Sequence, residues 1–391
     1  MHAKEDKISL HCIFASLYFL LLPLTITTNS TSSSFLKLFT IPIGMYFLIS
    51  LLFYRKEFQI NVIHLILVLY TISTVITLFV DFSMVSIKYT FGYFLNAALF
   101  LCLSVIEYND KEMHFLESVQ IVLLVIVTLL PHLGDTPDNI RTSLIIFGQK
   151  CDPNYFVGYF IFPLSIAMKR IFESRFRLFY IITSLFSIYT ILLTGSRGGL
   201  LAIIVTMLTF AVIYPKTMKK KAFVITTLAI IAVVFWFVVR PFLPEIIIER
   251  MSIEAVVETR GTYRGDIWKS MLTEIKNSDW EVIFGRGLES THVIMMNGKE
   301  ETVVAHNQLI QLMYNQGVIG LVLFLMLVIT CIFRCIKKRK CVSVALIGMM
   351  ALAMSLTIGT STKSFWNLIP YAAIAFTQKE NHIKHKEEIL K

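Results

Sequence analysis

The chain has 391 residues, 56% of them hydrophobic and only 16% charged, with a mean hydropathy of +0.70. These values exclude an ordinary soluble domain and point to an integral membrane protein. The formal net charge of +10 does not indicate nucleic acid: no nucleic-acid motif accompanies it, and basic residues gathered in inner loops, reinforced by anionic lipid, account for it.

A helix needs about 20 mainly apolar residues to cross the hydrocarbon. Taken along the chain, such stretches predict twelve spans, near 8–26, 35–54, 60–80, 86–106, 113–133, 154–170, 176–194, 197–214, 221–240, 306–333, 341–361 and 364–378. The sixth and twelfth are short, so the range is ten to twelve. The first is too long for a signal peptide, and Thr25 to Ser34 offers no Ala-x-Ala cleavage site. The expected fold is all-α. Residues 1–240 carry transmembrane helices one to nine, 241–305 form one large external loop with short helices, 306–378 carry helices ten to twelve, and 379–391 form a basic tail.

Loop charge orients the bundle. Lys4, Lys7, Arg55, Lys56, Lys111, the Lys169–Arg177 group, the Lys216–Lys221 group, the Arg334–Lys340 group and the tail from Lys379 hold 22 of the 36 basic residues, all on one side. Lys and Arg favour the cytoplasm. Both termini are therefore expected inside the cell membrane, with 134–153, the 194–197 turn and 241–305 outside. The six cysteines match no zinc or disulfide pattern and read as packing residues.

Residues 241–305 differ from the rest, with eleven acidic and seven basic residues between Glu245 and Glu301. They lack the Gly, Ser or Pro runs of a spacer, and apolar residues at helical spacing predict two short helices, near 245–258 and 262–277. Arg264 and Trp268 share a helix face, Arg260 stands one turn earlier, Arg286 lies in a glycine-flanked turn, and His306-Asn307 lead into the tenth span. Taken singly, Arg264 and Trp268 also fit an interfacial arginine with its aromatic anchor, and His306 a helix-start residue.

Two elements face this loop. In Thr194-Gly195-Ser196-Arg197-Gly198-Gly199, Ser196 is expected to cap a helix, Gly198 to permit close approach and Arg197 to supply fixed positive charge, which suits a phosphate. A tight turn between closely packed helices fits the same residues. Asp152-Pro153-Asn154 opens the sixth span and is equally a helix-start signal. Charged groups are costly beside the hydrocarbon, so the gathering of Asp152, Asn154, Arg197, Arg260, Arg264 and His306 at one level argues for a shared site.

Outside the cell, group transfer needs a donor already activated in the membrane, and a polyprenyl-pyrophosphate-linked glycan is one. Its leaving group must be neutralised by a metal or by arginines and backbone donors. The sequence has no Asp-x-Asp pair and no carboxylate in the first outer loop, so no metal or other cofactor is expected and arginines take that role. His306 is then the candidate base for an acceptor hydroxyl, with Arg264 beside it.

At Ser196-Arg197-Gly198-Gly199-Leu200-Leu201-Ala202, at Arg264 with Trp268, and at His306-Asn307-Gln308-Leu309 followed by Gly317-Val318-Ile319-Gly320-Leu321, the chain resembles the O-antigen ligase and Wzy-type polysaccharide polymerase superfamily. Asp152-Pro153-Asn154 is a weaker fourth match, and Gln308-Leu309 stand where that family usually has an aromatic residue. The resemblance implies a twelve-helix, GT-C-like membrane glycosyltransferase that uses an undecaprenyl-pyrophosphate-linked oligosaccharide and an acceptor glycan without metal. Within it, Arg197 and Arg264 correspond to pyrophosphate-binding arginines and His306 to an essential histidine. Ser196, Gly198, Asp152, Asn154, Trp268, Asn307, Arg260 and Arg286 are added as substrate-binding candidates.

Polymerase is favoured over ligase, because the composition suggests a low-GC bacterium in which repeat-unit capsules are common. A ligase moving finished glycan onto lipid A core or another acceptor is the alternative. A flippase is the competitor of another class; it would be expected to line its path with charge, which these spans lack at mid-depth. Membrane lipids, and a flippase and chain-length regulator of the same pathway, are the further expected partners; nucleic acid is not.

Overall fold

The computed structural model describes residues 8–23, 43–46, 48–49, 60–104, 106, 108–133, 141–143, 145–146, 149–252, 264–288, 292–296, 299–337 and 340–355. The twelfth expected span, most of the second, the basic tail and Arg260 lie outside the described residues.

Helices dominate. They are α1 (Leu10–Leu21), α2 (Val62–Ile76), α3 (Met84–Ser104), α4 (Asp110–Leu129), α5 (Pro153–Phe156), α6 (Gly158–Glu173), α7 (Arg177–Leu193), α8 (Arg197–Ile213) and α9 (Met218–Val239), then α10 (Glu245–Met251), α11 (Arg264–Lys276), α12 (Glu281–Phe284), α13 (Gln308–Lys337) and α14 (Cys341–Ala353). Their starts follow local chemistry: Asn61 and Asn109 open α2 and α4 with reciprocal capping boxes to His64 and Glu112. Among the described residues, six helical stretches are long and apolar enough to cross a membrane, whereas α1, α7, α8 and α14 are apolar but shorter.

The centre of the bundle is α6, which packs against α4, α7 and α14, while α8 lies along α14 and α13 along α2. Phe156, Phe160, Phe210 and Phe324 are fully buried there. By contrast α9 leaves Phe223, Ile230, Val233 and Phe237 exposed, as expected of a helix that meets lipid rather than protein. At the end of α6 remote from Asp152, Lys169 and Arg170 pair with Glu117 at 2.9 and 3.1 Å.

The helical architecture agrees with the all-α expectation, with two short antiparallel ladders added: β1 (Ile145–Ile146) with β2 (Gln149–Lys150), and β3 (His292–Met296) with β4 (Lys299–Val303), paired Met296 to Lys299 and His292 to Val303. Two expectations need correction. Of the two outer helices expected near 245–258 and 262–277, α10 ends at Met251, and the short α12 follows α11.

The tenth span, expected to run unbroken from 306, is interrupted at Gly317, whose φ of 64° and ψ of −168° are not helical. The physical cause is a backbone clasp. The amides of Arg286 and Gly287 donate to the carbonyls of Tyr314 and Asn315 at 2.9 and 3.1 Å. A Cβ on Gly317 would collide with the Ile283 carbonyl, and one on Gly285 with the Asn315 backbone. Gly285 (φ 76°, ψ −172°) and Gly317 both occupy a region open essentially to glycine alone. The turn after α12 therefore satisfies carbonyls that the helix break frees, and a short limb, 308–316, is held against the outer segment ahead of the membrane-crossing limb.

Candidate functional site

At one end of the bundle, the ends of α6, α7, α8 and α14 together with α10 and α11 bring together Arg141, Asp152, Asn154, Arg197, Arg250, Arg264 and His306. Ser196 caps α8 as expected, its Oγ accepting from the Gly199 amide at 3.1 Å. It is 1% exposed, so the hydroxyl serves the helix and not a ligand. Nor does the space expected above Gly198 face a ligand: a Cβ there would strike the Ser355 side chain, so this glycine admits the end of α14. The small residues serve helix packing, and Arg197 is the charged group that this turn presents. Its Nε donates to the Arg250 carbonyl at 2.5 Å, tying α8 to α10.

Asp152 caps α5 by accepting from the Asn154 amide at 2.7 Å. Asn154 in turn accepts at 2.9 Å from Arg141, whose Nε donates to the Thr194 carbonyl at 2.6 Å. Asn154 is thus a holder of Arg141. Asp152 faces this cluster electrostatically, acting on both Arg141 and His306. Arg141 and Arg250 were missed by sequence reasoning. The signal available was that both are arginines on the side where the loop charges leave few.

Arg264 opens α11 and donates from Nη1 to the Ser355 carbonyl at 2.8 Å. Burial, then the neighbouring Arg197 charge, lowers its pKa, with Tyr155 acting the other way. Burial and the Arg250 charge likewise lower Arg141, opposed by Asp152. Among the described residues, Nε of Arg264 and Nε of Arg250 are buried without a hydrogen-bond partner. A buried donor left unpaired costs about 1–3 kcal/mol, more when charged. Among the described residues, four guanidinium groups face one carboxylate, an excess of positive charge with two unfilled donors that has the chemistry to attract an anion.

His306 stands at the edge of this charge in a strained conformation, with φ at 47°, the one positive-φ non-glycine among the described residues. Its flanks are pinned. Trp268 Nε1 donates to the Ala305 carbonyl at 2.7 Å, the Ala305 amide donates to Gln311 Oε1 at 2.8 Å, and Asn307 Oδ1 accepts from the Leu309 amide at 3.0 Å at the head of α13. Trp268 and Asn307, expected as substrate contacts, are therefore spent holding the backbone on either side of the histidine. Strain that surroundings over-determine in this way collects at functional positions. Burial, and then the Arg264 charge, lower the His306 pKa against an opposing pull from Asp152, so the ring is neutral near pH 7.

Arg286 is set apart. It pairs with Glu274 and, through Nε at 2.7 Å, with Glu281, and it donates to the Tyr314 hydroxyl at 3.2 Å. Two carboxylates already neutralise this guanidinium, which disfavours the expected pyrophosphate contact.

The fold and site together define a polytopic α-helical membrane protein with an arginine-rich cluster and a histidine at one face. Residues 182–325 match the O-Antigen ligase family, a segment containing Arg197, Arg250, Arg264 and His306. That match supports the resemblance to the O-antigen ligase and Wzy-type polymerase superfamily. A comparison with curated proteins finds no match.

Proposed function

We propose that the protein is a polysaccharide polymerase that joins undecaprenyl-pyrophosphate-linked oligosaccharide units at the outer face of the cytoplasmic membrane, with both termini inside the cell. The observation that carries the proposal is the meeting of four arginines, two with unfilled buried donors, with His306, whose pKa burial and the Arg264 charge lower. In the transfer step the acceptor hydroxyl oxygen attacks the anomeric carbon of the donor sugar and His306 accepts the hydroxyl proton. The bond from that carbon to the pyrophosphate oxygen breaks, and its electron pair leaves on undecaprenyl pyrophosphate. Arg197 and Arg264, seconded by Arg141 and Arg250, stabilise the growing negative charge without a metal ion. Because bond making and breaking occur on opposite faces of one carbon, the product has inverted configuration.

A ligase performs the same chemistry on a different acceptor, and the matching family's description favours that second reading. Deleting the protein from its host and separating lipid-linked glycans on a gel distinguishes the two. Single repeat units accumulate if it is a polymerase, and long unattached chains if it is a ligase. Unchanged chain length and attachment would remove both.

A further inference from the structure

The polar network around Arg286 floors a cleft of 760 Å³ on the outer segment, open to solvent and distinct from the arginine site. That volume is within the range of small-ligand sites. One face of α11 supplies Asp266, Lys269, Ser270, Glu274 and Asn277 to its wall, which follow helical spacing. Arg264 and Trp268 point to the opposite side of the same helix by that spacing, and Ile267, Met271 and Ile275 are buried between. The floor is rigid. His292 Nδ1 lies 2.5 Å from Glu274 and its Nε2 lies 2.8 Å from the Ser270 hydroxyl, while Tyr314 donates to Glu274 at 3.3 Å.

The cleft's chemistry differs from that of the transfer site. In the lining Asp266 and Glu274 stand against Lys269 and Arg286, and Glu281 pairs with Arg286 beside it, so the cleft offers hydrogen-bond donors and acceptors with no excess of positive charge. Such a surface suits a polyhydroxylated ligand better than an anion or a cation. Ser270, His292 and Glu274 have the contact order of a nucleophile, base and orienting acid, but Ser270 lies in the middle of α11. There the flanking amides are spent on helix bonds and leave no backbone donors for an oxyanion. The triad therefore fixes hydroxyl and carboxylate lone pairs for binding.

We infer that this cleft is a saccharide subsite that holds the acceptor glycan chain remote from its reacting end, an inference that rests on the transferase function proposed above. Ser270 stands six positions after Arg264, about 9 Å along the axis and about 120° around a helix about 10–12 Å across. A chain of sugars, and not a single one, is needed to reach from one to the other.

The test uses the full-length protein in nanodiscs and, as probe, the lipid-free oligosaccharide released by mild acid from the host's own lipid-linked glycan, with affinity measured by titration and turnover scored separately. The unsubstituted protein is expected to bind the probe. The pair Lys269→Ala and Asn277→Ala, exposed positions outside the network, should weaken binding about tenfold, the loss of two ordinary hydrogen bonds. Inorganic pyrophosphate should not compete. Absent binding, an unaffected double variant or displacement by pyrophosphate would each overturn the subsite. His306→Ala should bind the probe like the parent protein, and binding lost there would also overturn it. Absence of transfer by the unsubstituted protein would instead count against the transferase function itself, and transfer retained in His306→Ala against His306 as its base.

Discussion

At the scale of single residues, the site depends on a histidine kept uncharged beside arginines. Two influences, burial and the Arg264 charge, hold the His306 ring below its usual value of 6.5, and Asp152 opposes them. A general base works only in its unprotonated form. Transfer should therefore persist at pH 6.5 and fall only as pH drops through the lowered value. Arg264→Gln removes one depressing charge, so the titration of His306, followed by the NMR signals of its ring, should move to higher pH. A titration that stays in place or moves lower would show that the two groups do not interact. This pairing was legible in the sequence, because an arginine and a histidine flank one outer segment. The roles of Ser196, Asn154, Trp268 and Asn307 were not. Each is a polar group at a boundary, and only the fold decides whether its hydrogen bonds go to a ligand or to a backbone.

At the scale of elements, the outer segment and the bundle are joined by two glycines that face one another across a backbone contact. Gly317→Ala puts a Cβ into the Ile283 carbonyl and a side chain into a glycine-only conformation, at a cost of about 1–3 kcal/mol for the conformation alone. Hydrogen exchange of the Arg286 and Gly287 amides, which the clasp protects, should then accelerate by about tenfold or more, since about 1.4 kcal/mol is a factor of ten. Unchanged exchange would contradict the clasp. Among the described residues, helices stand where sequence periodicity placed them, but periodicity did not find this break, since an isolated glycine in an apolar run is tolerated in a helix until a tertiary partner bends it. The β3–β4 hairpin did have a sequence signal, Asn297-Gly298 between residues of strand character. The acidic composition of the segment and the helical spacing before it obscured that signal.

At the scale of the whole molecule, the helix bundle supplies Arg197 and Asn154 from below, while the outer segment supplies Arg250 and Arg264 from above and delivers His306 where its chain re-enters the bundle. Neither half contains the site alone. The central claim is that this joint site transfers glycan from a pyrophosphate carrier with His306 as base. The most direct measurement is turnover of the purified protein in liposomes loaded with the host's lipid-linked repeat unit, following release of undecaprenyl pyrophosphate and growth of the glycan together. The unsubstituted protein should do both, and His306→Ala should lose about 10²–10⁴-fold in rate, as expected for removal of a general base. If His306→Ala elongates glycan at the parent rate, the account is contradicted.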